Sequence, residues 1–227
     1  RWQDVLAGET CDALICDPPY GIRTHRGALS LRADGIKPTI DYSQMSEQDV
    51  AEFASAWSER VKGWICVMTS HDLVPAWERE LLAQGRYVFA PLPVINRYVL
   101  RIPGDGPGSG AVWMVVSRPR TRAFSGWGSL PGWYIRGQGD RASKRLGGKP
   151  LGLMRRIVAD YSRPGDLVCD PFAGAGTTLS AALLEGRNAI GSEIDREAYE
   201  EAKRSIGFEG DLIDGQAFHS QHRFQFG

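Results

Sequence analysis

Two short stretches hold the residue types with which this chain could do chemistry. The first is LICDPPYG, residues 14–21, where an apolar run gives way to a carboxylate, two prolines and an aromatic ring. Proline has no N–H to offer a sheet and cannot extend a central strand, so the run ends at Cys16 and leaves Asp17, Pro18, Pro19 and Tyr20 at the strand's carboxyl edge. The second is DLVCDPFAGAGTT, residues 166–178, where another apolar run closes on Asp170, Pro171 and Phe172. A turn with Gly174 and Gly176 then opens a helix at Thr177 and Thr178, and glycines there let a backbone approach a ligand closely. No lysine follows the last glycine, as a phosphate loop requires. The third glycine of a dinucleotide fingerprint is also missing, which disfavours an oxidoreductase. Glu193 lies seventeen positions beyond Gly176, at the end of the next apolar segment, where an acid can accept both hydroxyls of a ribose. Plainer roles exist for each: a turn cap for Asp17, a packing aromatic for Tyr20, a helix cap for Glu193.

The elements that must position these residues follow from periodicity. CDALIC, GWICVMTS and AVWMVVS are short apolar runs bounded by turn residues and are expected to be buried strands. Between the first two, Val50, Phe53, Ala54, Trp57 and Val61 recur at helical spacing behind a Ser46 cap. The second half repeats the grammar. PLGLMRRIVADY is a helix with Pro150 at its first helical position, DLVCD a strand, TTLSAALLEG a helix, RNAIGSE a strand, and residues 195–206 a final helix. Such alternation predicts an α/β fold, with a mostly parallel sheet and helices on both faces. Two stretches resist it: residues 23–38, a polar basic segment expected to be a long loop, and residues 118–148, which mix Arg, Gly and aromatics without period.

At 227 residues and 25.0 kDa the chain fits one large domain. Its 27 basic and 27 acidic residues cancel, yet Ser117 to Arg156 holds ten basic residues and the single acid Asp140, a local charge of +9 suited to a polyanion. Trp127, Trp133 and Tyr134 in this stretch suit either base stacking or a small core. Cys11, Cys16, Cys66 and Cys169 form no CxxC pair and are expected to be reduced core cysteines. His219 and His222 have no third ligand candidate nearby, so no metal site is expected. There is no apolar run of membrane-spanning length and no signal-peptide core, and the expectation is a cytoplasmic protein without membrane contact; the abrupt start at Arg1 is compatible with residues missing upstream.

Taken together, DPPY, DPFAGAGTT and GSEID resemble the catalytic motif, cofactor loop and ribose-binding acid of the amino-group DNA methyltransferases that use S-adenosylmethionine. DPPY precedes the glycine loop with the basic stretch between them, an order resembling the β group of that family. KPLGLMRRIV is similar to the lysine-proline motif ahead of its cofactor loop. The resemblance implies a Rossmann-like methyltransferase fold with circularly permuted motif order. It implies a single catalytic domain over residues 1–227, with 118–148 as an inserted target-recognition segment. Asp17, Pro18, Pro19 and Tyr20 would be catalytic. Asp17, Lys149, Asp170, Pro171, Phe172, Gly174, Gly176, Thr177, Thr178 and Glu193 would form the S-adenosylmethionine pocket. Arg118, Arg120, Arg122, Arg136, Gln138, Arg141, Lys144 and Arg145 would contact DNA, with Arg136, Gln138, Arg141 and Lys144 reading bases. The aspartate form of the motif implies adenine N6 methylation of a flipped or single-stranded base, in a restriction-modification setting and with a homodimer possible. Cytosine N4 methylation and a catalytically silent DNA-binding module are the alternatives. The chain departs from the family pattern in reading RLGGKP where members carry His-Pro ahead of Lys-Pro, and PVINRYVLR where they carry an aromatic and a lysine.

Overall fold

The computed structural model describes residues 2–22, 44–96, 110–121, 126–136, 148–206 and 217–220. The loop expected over 23–38 therefore lies outside the described residues, as do Arg122, Gln138, Arg141, Lys144 and Arg145. The described strands are β1 (Ala13–Cys16), β2 (Ile65–Thr69), β3 (Tyr87–Val88), β4 (Leu92–Ile95), β5 (Ala111–Arg118), β6 (Tyr134–Ile135), β7 (Leu167–Asp170), β8 (Asn188–Ser192) and β9 (Ala217–Ser220). They form one sheet in the order β6-β4-β5-β2-β1-β7-β8-β9, with β3 also pairing with β5. Strands β2, β1, β7 and β8 are mutually parallel, whereas β5 runs antiparallel to β2 and β4, and β9 antiparallel to β8.

Why these segments are strands is visible in their burial. All four residues of β1 and all five of β2 are buried, because helices cover both faces and leave no solvent side to alternate with. On one face Leu14, Cys16, Val67 and Cys169 pack with Phe53 and Trp57 of α2 (Glu47–Trp57) and Trp77 of α3 (Val74–Ala83), behind the short α1 (Trp2–Val5). On the other, Ile15, Cys66, Met68 and Val168 pack with Leu153, Ile157 and Tyr161 of α4 (Leu151–Tyr161), Leu179 of α5 (Thr177–Leu184) and Tyr199 of α6 (Arg196–Ile206). Each large apolar side chain fully buried in these layers stabilises the fold by about 1.5–3 kcal/mol. Helix α2 begins where Ser46 predicts: its Oγ accepts from Asp49 N–H at 3.2 Å, and Asp49 Oδ2 accepts from Ser46 N–H at 2.8 Å, a reciprocal capping box.

The structure adds elements that periodicity did not reveal and alters one boundary. Helices α1 and α3, the short strands β3, β4 and β6, and the edge strand β9 were not expected. Pro150 is the N-cap of α4, with φ −64° and ψ 137°, instead of its first helical residue. The four cysteines are buried and free, as expected. Of the three aromatics left open between stacking and packing, two are packed. Trp127 meets Trp64 edge-on at 5.6 Å beneath the Arg163 guanidinium, which lies 3.7 Å from the Trp127 ring centre. Tyr134 is buried in β6 and donates to Asp160 Oδ2 at 2.6 Å. Trp133 is 57% exposed.

Candidate active site

The parallel core places both chemical motifs on one edge. Leu14 pairs with Cys169, so β1 and β7 run side by side and end together, and Asp17 leaves the sheet beside the Asp170–Gly176 turn. Adjacent strands lie about 4.8 Å apart, which sets the scale of the gap between these ends. Strand β8 pairs with β7 through Asp170–Gly191 and delivers Glu193 to the same edge.

At the end of β1, both oxygens of the Asp17 carboxylate are held. Tyr20 Oη donates to Asp17 Oδ1 at 2.9 Å, and the Lys149 ammonium donates to Asp17 Oδ2. Lys149 Nζ also donates to Tyr20 Oη at 2.9 Å and lies 5.3 Å from the centre of the Tyr20 ring. Pro18 is buried and Pro19 half-buried, which stiffens the exit from the strand. Beyond Tyr20, Gly21 N–H donates to Ser70 Oγ at 2.9 Å, and a side chain at Gly21 would run into the Asp72 carboxylate. Ser70 and Asp72 follow β2 and were not singled out from the sequence. A buried strand ending directly in the polar run Ser70-His71-Asp72 was the available signal, because β2 neighbours β1.

The turn after β7 is built in two different ways at its two glycines. Gly176, at φ 79°, is the N-cap of α5, and a Cβ there would lie 2.9 Å from Ala202 Cβ, so this glycine serves the packing of α6. Gly174, at φ 53°, has open space where a Cβ would stand. Its N–H donates to Glu193 Oε2 at 2.7 Å, while Asp195 N–H donates to Glu193 Oε1 at 2.7 Å. Each Glu193 oxygen keeps a second lone pair. Asp170 is buried and its Oδ1 accepts from Phe172 N–H at 3.0 Å. Burial pushes the Asp170 carboxyl up to about 7; the charges of Asp17 and Glu193 add to the rise, and hydrogen bonds from Thr178 and Phe172 oppose it. Phe172 stacks on Phe53 at 5.7 Å, so its ring anchors the turn to the α2 layer. Burial likewise pushes the Cys16 thiol up, which makes it an inert neighbour of Asp17.

Among the described residues, the basic side chains expected at DNA divide between opposite edges of the sheet. Strand β6 runs parallel to β4, and Arg136 N–H donates to Ile95 O at 3.0 Å, so Arg136 emerges on the same edge as Asp17. Arg118 and Arg120 do not. Because β5 runs antiparallel to β2, with Ile65 opposite Ser117 and Thr69 opposite Trp113, Arg118 leaves β5 at the amino edge. There Arg118 donates to Pro119 O at 3.0 Å, and both guanidinium groups lie over the Tyr87 ring, at 5.0 and 5.8 Å. Of the residues expected at DNA, Arg118 and Arg120 therefore stand on the edge opposite Asp17. Among the described residues no cluster of His, Cys, Asp and Glu could hold a metal ion, and no helix is long and apolar enough to cross a membrane.

Residues 121–204 match the model of the DNA methylase family N6_N4_Mtase. The DNA adenine methyltransferase YhdJ of Escherichia coli K12 is 51% identical over 49 residues, 22% of this chain and 17% of that protein. The type II methyltransferase M.MthZI of Methanothermobacter thermautotrophicus is 44% identical over 69 residues, 30% of this chain and 19% of that one. The chain thus spans about a fifth of the length of these curated relatives. In overall shape it superposes on the M1.HpyAVI–SAM complex with a TM-score of 0.63 at 20% identity, covering 89% of this chain and 92% of that one, which establishes a shared Rossmann-like fold. The match to the DNA methylase family is thus confined to residues 121–204, and it takes in the glycine turn and Glu193, which share one sheet edge with Asp17.

Proposed function

We propose that the protein transfers a methyl group from S-adenosylmethionine to the N6 amino group of adenine in DNA. The observation that carries this reading is the side-by-side exit of β1 and β7, which sets the Asp17 acceptor beside a glycine turn with open space at Gly174. That turn fits the cofactor on its own chemistry. Its backbone is bare at Gly174, a helix begins at Thr177, and the Glu193 carboxylate retains lone pairs for the hydroxyls of a ribose. When bound, S-adenosylmethionine supplies an electrophilic methyl group on a sulfonium. Asp170, Pro171, Phe172, Gly174, Gly176, Thr177, Thr178 and Glu193 would line its site.

The chain's own contribution is acceptor geometry. An exocyclic amino nitrogen is a poor nucleophile because its lone pair is delocalised into the ring. An Asp17 oxygen accepting one N–H, with the Pro18 carbonyl accepting the other, favours a pyramidal nitrogen whose lone pair points out of the ring. The same acceptors stabilise the positive charge that grows on nitrogen, as fixed dipoles do for an oxyanion. Orientation of this kind is worth about 7–11 kcal/mol of barrier in well-aligned systems. The Tyr20 ring, fixed by its hydroxyl, offers a face for the base, and Pro18 and Pro19 keep the platform rigid. A base inside a duplex does not reach this edge, so it must be extruded at a cost of a few kcal/mol, or arrive single-stranded. DNA is the partner this reading requires, with Arg136 at the correct edge to meet its backbone.

Incubation with labelled S-adenosylmethionine and DNA, followed by nucleoside mass spectrometry, tests the reading. N6-methyladenine is expected from the intact chain and none from Asp17→Ala. N4-methylcytosine alone overturns the adenine assignment, and DNA binding without any transfer by the intact chain overturns the enzyme assignment.

A further inference from the structure

We propose that Lys149 is a positioning residue for the Asp17 carboxylate. Its ammonium and the Tyr20 hydroxyl together lock the acceptor that the reaction needs, an inference that rests on the methyl-transfer reading and deepens it. Lys149 is 132 positions from Asp17 in sequence, yet it donates both to Asp17 Oδ2 and to Tyr20 Oη, while Tyr20 donates to Asp17 Oδ1. The three groups therefore close a ring of donors and acceptors. The single Tyr20 proton goes to Asp17, its oxygen lone pair takes a Lys149 proton, and the ammonium spends its next proton on the second carboxylate oxygen. Such a ring fixes the rotation of the carboxylate plane, which neither bond fixes alone. Each Asp17 oxygen still has a lone pair for an incoming amino group.

Two further observations favour positioning over a loose surface pair. The side chains are only 15% and 23% exposed, so the charges are less screened than at an open surface, where an ion pair contributes little. The backbone that presents Lys149 is also anchored. Pro150 caps α4 directly after it, and Leu153, Met154, Ile157, Val158 and Tyr161 of that helix are buried in the core. This assignment differs from the cofactor-pocket role that the lysine-proline resemblance implies, because the ammonium is engaged by the catalytic acid and its neighbouring tyrosine.

The test compares wild type, Lys149→Met and Lys149→Arg, with S-adenosylmethionine affinity measured by calorimetry and kcat and KM measured on methylatable DNA. The expected result for Lys149→Met is a fall in kcat of about 100-fold, the scale of an ångström-level misplacement. Its cofactor Kd and its KM for DNA should stay within about threefold. Lys149→Arg, which keeps the cation, should regain at least about tenfold of the lost kcat and guards against a methionine variant that does not fold. A Lys149→Met enzyme with unchanged kcat, or one whose defect is confined to cofactor Kd, overturns the proposal. An inactive wild type counts against the methyl-transfer reading instead. Independently of activity, a crystal structure of Lys149→Met that retains the Asp17 rotamer and the Tyr20 bond would overturn the positioning role.

Discussion

Replacing Gly176 with alanine should damage the fold, whereas the same change at Gly174 should damage ligand binding. Both glycines have positive φ, 79° and 53°, and an L-residue there costs about 1–2 kcal/mol. At Gly176 the added methyl would also stand 2.9 Å from Ala202 Cβ, 3.1 Å from Ile206 Cδ1 and 3.2 Å from Ala202 Cα. The last is backbone in the middle of α6, so the helix must move as a body; overpacking of this kind costs about 1–3 kcal/mol. The sum is about 2–5 kcal/mol, and for a chain of this size each kcal/mol lowers Tm by about 2–4 °C, giving a fall of about 4–20 °C. Gly174→Ala meets nothing within 4 Å and should lose about 2–8 °C from backbone strain alone. Its methyl instead enters the space where the ligand approaches, so S-adenosylmethionine affinity should fall by more than about tenfold, with little further loss of stability. Thermal denaturation followed by circular dichroism, paired with calorimetric titration of the cofactor, reads both effects. Equal Tm values for the two variants, or a Gly174→Ala protein that binds the cofactor like wild type, would refute the division of labour between the two glycines.

Three other perturbations follow from the same geometry. Asp170 has a folded pKa raised to about 7 against an unfolded value near 4, so it lends most stability below about pH 4 and that contribution is lost as pH rises toward 7. Asp170→Asn keeps an oxygen for Phe172 N–H and removes the ionisation. Its stability relative to wild type should therefore improve between pH 5 and pH 8 in urea denaturation, and a constant difference would count against the buried acid as the source. Glu193→Ala strips acceptors from Gly174 N–H and Asp195 N–H, both at 2.7 Å, and should weaken cofactor binding more than Glu193→Gln, which retains one oxygen. Equal calorimetric affinities for the two variants would contradict this. Arg86 is buried and donates to Ser58 O at 2.8 Å, Val61 O at 3.2 Å and Ser117 Oγ at 3.0 Å. Arg86→Ala should cost about 3 kcal/mol or more in chemical denaturation without altering cofactor affinity, since it leaves several buried acceptors unpaired at the amino edge, away from Asp17.

The parts of the fold legible from sequence were those whose signal is local. Fully buried strands of the parallel core appear as unbroken apolar runs, and α2 announces itself through Ser46 and a 3.6-residue period. Helix α3 was missed although Pro75 sits in its first turn, because only Ala76, Trp77 and Leu81 of its ten residues are buried and Glu78, Arg79 and Glu80 interrupt the stripe. Strands β3 and β6, of two residues each, carry no period at all. They exist because β5 and β4 offer unpaired edges, which is a tertiary fact.

The site was legible to the same degree and for the same reason. Proline and glycine mark where Asp17, Gly174 and Gly176 leave their strands, so the motif ends can be read, but which edge a residue reaches depends on strand direction. AVWMVVSR looks like any other buried strand, yet it runs antiparallel, and that alone sends Arg118 and Arg120 to the edge opposite Asp17. Arg136, eighteen residues after Arg118, returns to the Asp17 edge because β6 runs parallel to β4. Arg118 and Arg120 therefore lie on one surface and Arg136 on another, and charge counting along a chain overstates any one binding face whenever a strand reversal lies within it. If the Asp17 edge receives a polyanion, Arg136→Ala should reduce the slope of log affinity against log salt by about 0.9, the value of one phosphate contact on duplex DNA. Arg120→Ala should leave that slope unchanged. A matching loss of slope from both would mean that the nucleic acid wraps around the sheet to the amino edge as well.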